Sequence, residues 1–111
     1  MLENIKIAVI GLGYVGLPLA VEFGKKYKTV GFDIDSTRVN ELNQGKDNTN
    51  EVSDNDLKKV LNNKFFSISD DIKIISDCNF YIITVPTPVD INNRPNFDPL
   101  ISASKLVGKF L

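Results

Sequence analysis

Apolar positions along this chain alternate between short continuous runs and helical spacings. Ile5 to Ile10 is an unbroken, β-branched run, the pattern of a strand buried on both faces. A helical spacing follows from about Tyr14 to Lys26, with Leu17, Leu19, Ala20, Val21 and Phe23 apolar and Pro18 inside the first turns, where it forfeits a hydrogen bond. Tyr27 to Phe32 reads as a second strand that ends at Asp33. Asp35 or Ser36 then caps a helix with Val39 and Leu42 inward, closed by Gly45. After a polar, loop-like stretch from Gly45 to Val52, Ser53 and Asp56 form a capping-box variant for a short helix with Leu57, Val60 and Leu61 inward. Phe65 to Ile68 is a brief third strand. Ser69, with Asp70 and Asp71, is expected to start another short helix that buries Ile72 and Ile75. Phe80 to Val85 is the fourth strand. Pro86 to Asn96 holds three prolines and cannot be regular structure, and Asp98 at the N-cap with Pro99 at N1 opens a last helix with Leu100, Ala103, Val107 and Phe110 on one face.

Strands that alternate with helices predict an α/β fold with a doubly wound parallel sheet, here incomplete, of about four strands in the order 3-2-1-4. Such domains normally have five or six strands. The chain stops at Leu111 after a helix that should lead into another strand, so it reads as the front portion of something longer.

Composition narrows the field. At 111 residues the chain is one domain at most, with the apolar and charged fractions of an ordinary soluble protein, 42% and 24%. A net charge of −1 argues against a nucleic-acid surface. No run approaches the length of a membrane span, and no signal-peptide pattern is legible. The single cysteine, Cys78, cannot form an internal disulfide, which fits a reducing cytoplasm. Histidine is absent, which removes the commonest general base and the commonest zinc ligand, and no metal site is expected. Cys78 precedes the fourth strand and reads as a small buried hydrophobe rather than a nucleophile.

The chemistry sits in Gly11-Leu12-Gly13-Tyr14-Val15-Gly16, between the first strand and the first helix. Gly11 lets the chain turn sharply, Gly13 leaves no Cβ between backbone and a diphosphate, and Gly16 lets the helix pack close to the strand. The helix N-terminus supplies unpaired N–H groups and a positive dipole end. These are the features of a Rossmann-type dinucleotide site. Asp33, at the end of the second strand, is placed to accept hydrogen bonds from both adenosine ribose hydroxyls and to repel a 2′-phosphate, which favours NAD over NADP. The alternative is an Asp that merely ends a strand. Arg38 bears on the same choice, since an arginine here can accept a 2′-phosphate; with Asp33 present it packs along the adenosine side or contacts the ribose, unless it is simply a solvent-exposed helix residue. Thr87, in Thr84-Val85-Pro86-Thr87-Pro88 at the carboxyl end of the fourth strand, either contacts the cofactor or belongs to a connection that touches nothing.

Three segments together, Gly11 to Pro18, Gly31-Phe32-Asp33-Ile34-Asp35 with Arg38, and Thr84 to Pro88, resemble the N-terminal NAD-binding domain of the UDP-glucose/GDP-mannose dehydrogenases. Tyr14 within the glycine motif makes the resemblance specific, and it covers essentially the whole chain. Gly45-Lys46-Asp47 through Glu51-Val52-Ser53-Asp54 is similar to the bacterial UDP-N-acetylhexosamine 6-dehydrogenases of surface-polysaccharide synthesis, such as capsule, more than to UDP-glucose 6-dehydrogenases. The resemblance implies a cytoplasmic, homo-oligomeric enzyme that uses NAD to oxidise the C6 alcohol of a UDP-sugar to a carboxylate in two steps. It implies that Gly11 to Gly16 hold the diphosphate, Asp33 and Arg38 the adenosine ribose, and Thr87 the cofactor. The family's catalytic cysteine, lysine, asparagine and aspartate belong downstream, and so does its catalytic threonine, so residues 1–111 carry no catalytic residue. A stand-alone NAD-sensing module and a dehydrogenase of the short-hydroxyacid kind remain as alternatives.

Overall fold

β1 (Lys6–Ile10) occupies the middle of a four-stranded parallel sheet, ordered β3-β2-β1-β4, in a computed structural model that describes residues 4–85, 92 and 94–109. β2 (Lys28–Phe32), β3 (Phe66–Ser69) and β4 (Phe80–Ile83) complete it. The helices are α1 (Gly16–Gly24), α2 (Ser36–Asn43), α3 (Asp54–Leu61) and α4 (Asp98–Gly108), and a 3₁₀ turn lies at Ile72–Ile75. The expected fold class and strand order are those observed.

Side chains on a strand alternate between faces, so the continuous apolar run of β1 serves two cores. Ile7 and Val9 pack with Leu17, Ala20 and Val21 of α1, Leu42 of α2 and Leu57 of α3. Ala8 and Ile10 face the other way, against Ile75 of the 3₁₀ turn and Ala103 and Val107 of α4. Leu17, Leu42, Leu57 and Ile75 are fully buried, each contributing about 1.5–3 kcal/mol of transfer free energy.

Strand register sets the position of everything that follows. Ile10 lies opposite Phe32 of β2 and Ile83 of β4, so three strands end level. The pairing carries one step further, with the Gly11 N–H donating to Phe32 O and the Thr84 N–H to Ile10 O, both at 2.8 Å. Gly11, Asp33 and Thr84 therefore share one rim, at the switch between β1 and β4 where open α/β sheets bind ligands.

Three local expectations change. Ser69 does not cap a helix: the segment makes a single 3₁₀ turn, capped by Asp71, whose side chain accepts from the Lys73 N–H. Only one turn fits between β3 and β4, and Asp70 is drawn off to accept the Ser36 hydroxyl at 2.6 Å. Asp98 is the first residue of α4 rather than its cap; the Asn96 side chain accepts the Asp98 N–H instead. β4 closes at Ile83, two residues early, as Thr84 turns its hydroxyl toward the Gly11 carbonyl. Pro18 lies in the first turn of α1, where a missing N–H costs little, and the helix runs on unbroken to Gly24.

α1 ends close against β3 and α3. A Cβ on Gly24 would overlap the Phe66 ring and come within 2.8 Å of Val60 Cγ2. Gly24→Ala should destabilise the domain by about 1–3 kcal/mol through overpacking, read as a lowered urea midpoint. An unchanged midpoint would mean that α1 does not sit this near the sheet.

Candidate functional site

Gly11 leaves β1 at φ +99°, a conformation that a side chain makes costly, and a Cβ there would lie 3.1 Å from the Thr84 backbone. Gly16 is still more constrained: a Cβ on it would collide with the Gly11 carbonyl oxygen and the Thr84 hydroxyl. The Thr84 hydroxyl itself donates to Gly11 O at 2.7 Å. These contacts draw α1 onto the end of β1, so that its N-terminus opens on the rim.

Among the described residues the N–H groups of Gly13, Tyr14, Val15 and Gly16 have no hydrogen-bond partner. Val15, the N-cap, gives no side-chain cap, and the first turn of α1 holds no acid. Backbone donors left open at a helix N-terminus whose first turn holds no acid make a receptor for a diphosphate. A Cβ on Gly13 would meet nothing within 4 Å, so the backbone there faces open space. That space is a cavity of about 690 Å³ lined by Gly11, Leu12, Gly13, Asp33, Arg38 and Thr84, among others, a size suited to a small organic ligand.

Asp33 sits at the cavity with each carboxylate oxygen engaged once. Oδ2 accepts the Leu12 N–H at 2.9 Å and Oδ1 the Asp35 N–H at 3.0 Å. A carboxylate oxygen has two lone pairs, so both retain capacity for a ligand hydroxyl. Asp33 thus ends β2 and also positions the glycine turn. Asp35 caps α2 by accepting from the Thr37 and Arg38 N–H groups.

Arg38 is not the solvent-exposed helix residue that its spacing allowed; its side chain is 12% exposed. Nε donates to Leu12 O, and Nη1 donates to both Glu41 Oε1 and Asp47 Oδ1, all at 2.9 Å. Nη2 is buried without a hydrogen-bond partner among the described residues. The Leu12 backbone is therefore gripped on both sides, its N–H by Asp33 and its C=O by Arg38.

Asp47 is the residue that sequence reasoning missed. Its side chain is wholly buried. Besides Arg38, Oδ1 accepts from the Thr49 N–H and hydroxyl, and Oδ2 from the Glu51 and Val52 N–H groups. The polar stretch after Gly45 is accordingly an ordered turn wound on one carboxylate. An Asp with Thr two residues on, in a short polar loop, is the available signal. Burial by itself raises the Asp47 pKa, but the Thr49 hydroxyl and N–H, the Val52 N–H and Arg38 outweigh it and bring it from 3.8 to about 2.

Of the remaining expected site residues, Tyr14 and Val15 project outward, 70% and 66% exposed, and offer the site their N–H groups rather than their side chains. Thr87 lies outside the described residues. Cys78 is at the opposite end of β4, its thiol pushed up to about 11 by burial and by Asp77, and so protonated at neutral pH. Among the described residues no group of acids and cysteine could hold a metal, and no helix is long and apolar enough to cross a membrane.

Comparison with known proteins matches this architecture. Residues 5–111 fit the model of the NAD-binding domain of the UDP-glucose/GDP-mannose dehydrogenase family. The chain is 50% identical over 111 residues to the UDP-N-acetyl-D-glucosamine 6-dehydrogenase of Pseudomonas aeruginosa, covering 99% of this chain and 25% of that protein. It is 50% identical over 108 residues to Protein CapL of Staphylococcus aureus, covering 97% and 24%. The solved UDP-D-ManNAc dehydrogenase of Pyrococcus horikoshii superposes with a TM-score of 0.89 at 34% identity, covering 96% of this chain and 26% of that one. The chain spans about a quarter of the length of the curated relatives it matches.

Asp47 gives the site a pH signature. A carboxylate whose pKa is depressed on folding contributes stability above its unfolded value, and that contribution disappears as pH falls through the folded one. Unfolding free energy should drop by about 2 kcal/mol on acidification from 3.8 to about 2. Asp47→Asn should be less stable at neutral pH and lack this part of the acid loss. Urea unfolding across that range checks both.

Proposed function

Because the chain belongs to the UDP-glucose/GDP-mannose dehydrogenase family, we propose that its glycine turn, α1 N-terminus and Asp33 bind NAD for a UDP-N-acetylhexosamine 6-dehydrogenase. One observation carries this reading: four consecutive unpartnered N–H groups begin at Gly13, which lines a cavity that also holds a carboxylate with spare acceptor capacity, Asp33. The amides and the dipole of α1 receive the diphosphate. Asp33 receives the adenosine ribose hydroxyls and, carrying a negative charge, disfavours a 2′-phosphate. The Thr84 side of the rim, past β4, is where the nicotinamide half would run, and Thr87, later in the same segment of sequence, is its expected contact.

Bound NAD supplies a hydride acceptor, and the family's reaction removes hydride from the C6 alcohol of a nucleotide sugar. This chain's residues contribute binding and orientation. Its cysteine is protonated and distant from the rim, and among the described residues the cavity is lined by no histidine, lysine or cysteine. Turnover therefore requires residues from the rest of a protein of the relatives' length, which would also supply the UDP-sugar contacts and the homo-oligomer interface. The acetamido sugar is supported by the relatives at 50% identity, one of which is named for UDP-N-acetyl-D-glucosamine. A cytoplasmic setting, where NAD and nucleotide sugars are available, suits this role.

Calorimetric titration of this chain with NAD should show binding without turnover. Gly13→Ala, whose added methyl meets no protein atom within 4 Å, should leave the unfolding midpoint nearly unchanged. It should nonetheless weaken NAD at least about tenfold, a loss of about 1.4 kcal/mol. Equal affinity in the variant would remove the diphosphate from this turn.

A further inference from the structure

A guanidinium at the mouth of a nucleotide cavity suits a ribose phosphate better than a ribose hydroxyl. The surroundings of Arg38 work against that use. Nε and Nη1 are committed to Leu12 O, Glu41 and Asp47, and Nη2 is buried. To meet a phosphate the side chain must leave all three partners together. The two carboxylates are themselves fixed: Glu41 accepts the Asn48 N–H at 3.1 Å and also the Asn48 side-chain amide, while Asp47 holds the 47–52 turn. The cluster sets one positive charge against two negative ones, and Asp33 adds a third carboxylate on the N–H of the same residue, Leu12.

We propose that Glu41 and Asp47 are positioning residues that determine cofactor specificity. They hold Arg38 against the glycine turn, so that the site takes a dinucleotide with a free 2′-hydroxyl and refuses one with a 2′-phosphate. This rests on the reading of the cavity as an NAD site. Asp33 supplies repulsion, and Glu41 and Asp47 withhold the one cation that could offset it. Removing either carboxylate lowers the local negative charge and loosens Arg38, and both changes favour a phosphate.

The test is titration of this chain with NAD and with NADP, for the wild type, Glu41→Gln and Asp47→Asn, each repeated with Arg38→Ala. The wild type should prefer NAD. Each carboxylate variant should narrow the ratio of the two dissociation constants at least about tenfold, and Arg38→Ala should remove most of that narrowing, leaving only what the lost negative charge contributes. A merely structural role would weaken both nucleotides alike and leave the ratio where it was. Asp47→Asn places amide hydrogens against backbone donors; if it does not fold, Glu41→Gln decides, since at a partly exposed position it removes the charge that holds Arg38 without changing the size of the side chain. NAD binding with an unchanged ratio in Glu41→Gln overturns this inference alone. Failure of the wild type to bind either nucleotide overturns the reading of the cavity, and this inference with it.

Discussion

The structure turns on the backbone of one residue. Leu12 lies between the two glycines that shape the rim, its N–H held by Asp33 and its C=O by Arg38. Glycine on both sides gives this stretch conformational freedom, which is costly for a binding site that must present donors in a fixed array. The two charged side chains remove that freedom without placing a Cβ where a ligand would lie. The Leu12 side chain does the same from below: it is fully buried among the residues packed on one face of β1. Backbone, core and charge thus converge on the turn from which the unpartnered amides of α1 open.

That residue is in turn tied to elements well separated in sequence. Asp33 reaches it because β1 and β2 end level, and Arg38 because α2 packs Val39 and Leu42 into the same core that holds Leu12. Asp47 links Arg38 to the turn that leads into α3. Each of these bonds is charge-assisted, the class that contributes most to geometry and orientation in a partly buried setting. A ligand that accepts from the open amides meets donors already fixed by the fold, so little ordering remains to oppose binding.

Most of this frame is legible in the sequence because its physics is local. The run of β1, the glycine spacing, the caps of α2 and α3, and the carboxylate at the end of β2 follow from side-chain alternation, backbone freedom and capping chemistry within a few residues. The expected 3-2-1-4 sheet and the family resemblance hold for the same reason. What escaped is tertiary. Arg38 reads as a ribose contact or a surface helix residue until Leu12 and Asp47 are brought to it, and the polar stretch after Gly45 looks like plain loop until one buried carboxylate is seen at its centre. The segment at Ser69 carries helical signals, yet the short span between β3 and β4 admits only one 3₁₀ turn.

The most direct measurement is a ¹H–¹⁵N correlation spectrum of this chain titrated with NAD. The account predicts that the amides of Gly13, Tyr14, Val15 and Gly16 move first and farthest, with Leu12 and Asp33, while Gly24 and Asn63 at the opposite end of α1 stay still. Shifts centred on that opposite end, or none at the glycine turn at saturating NAD, would contradict it.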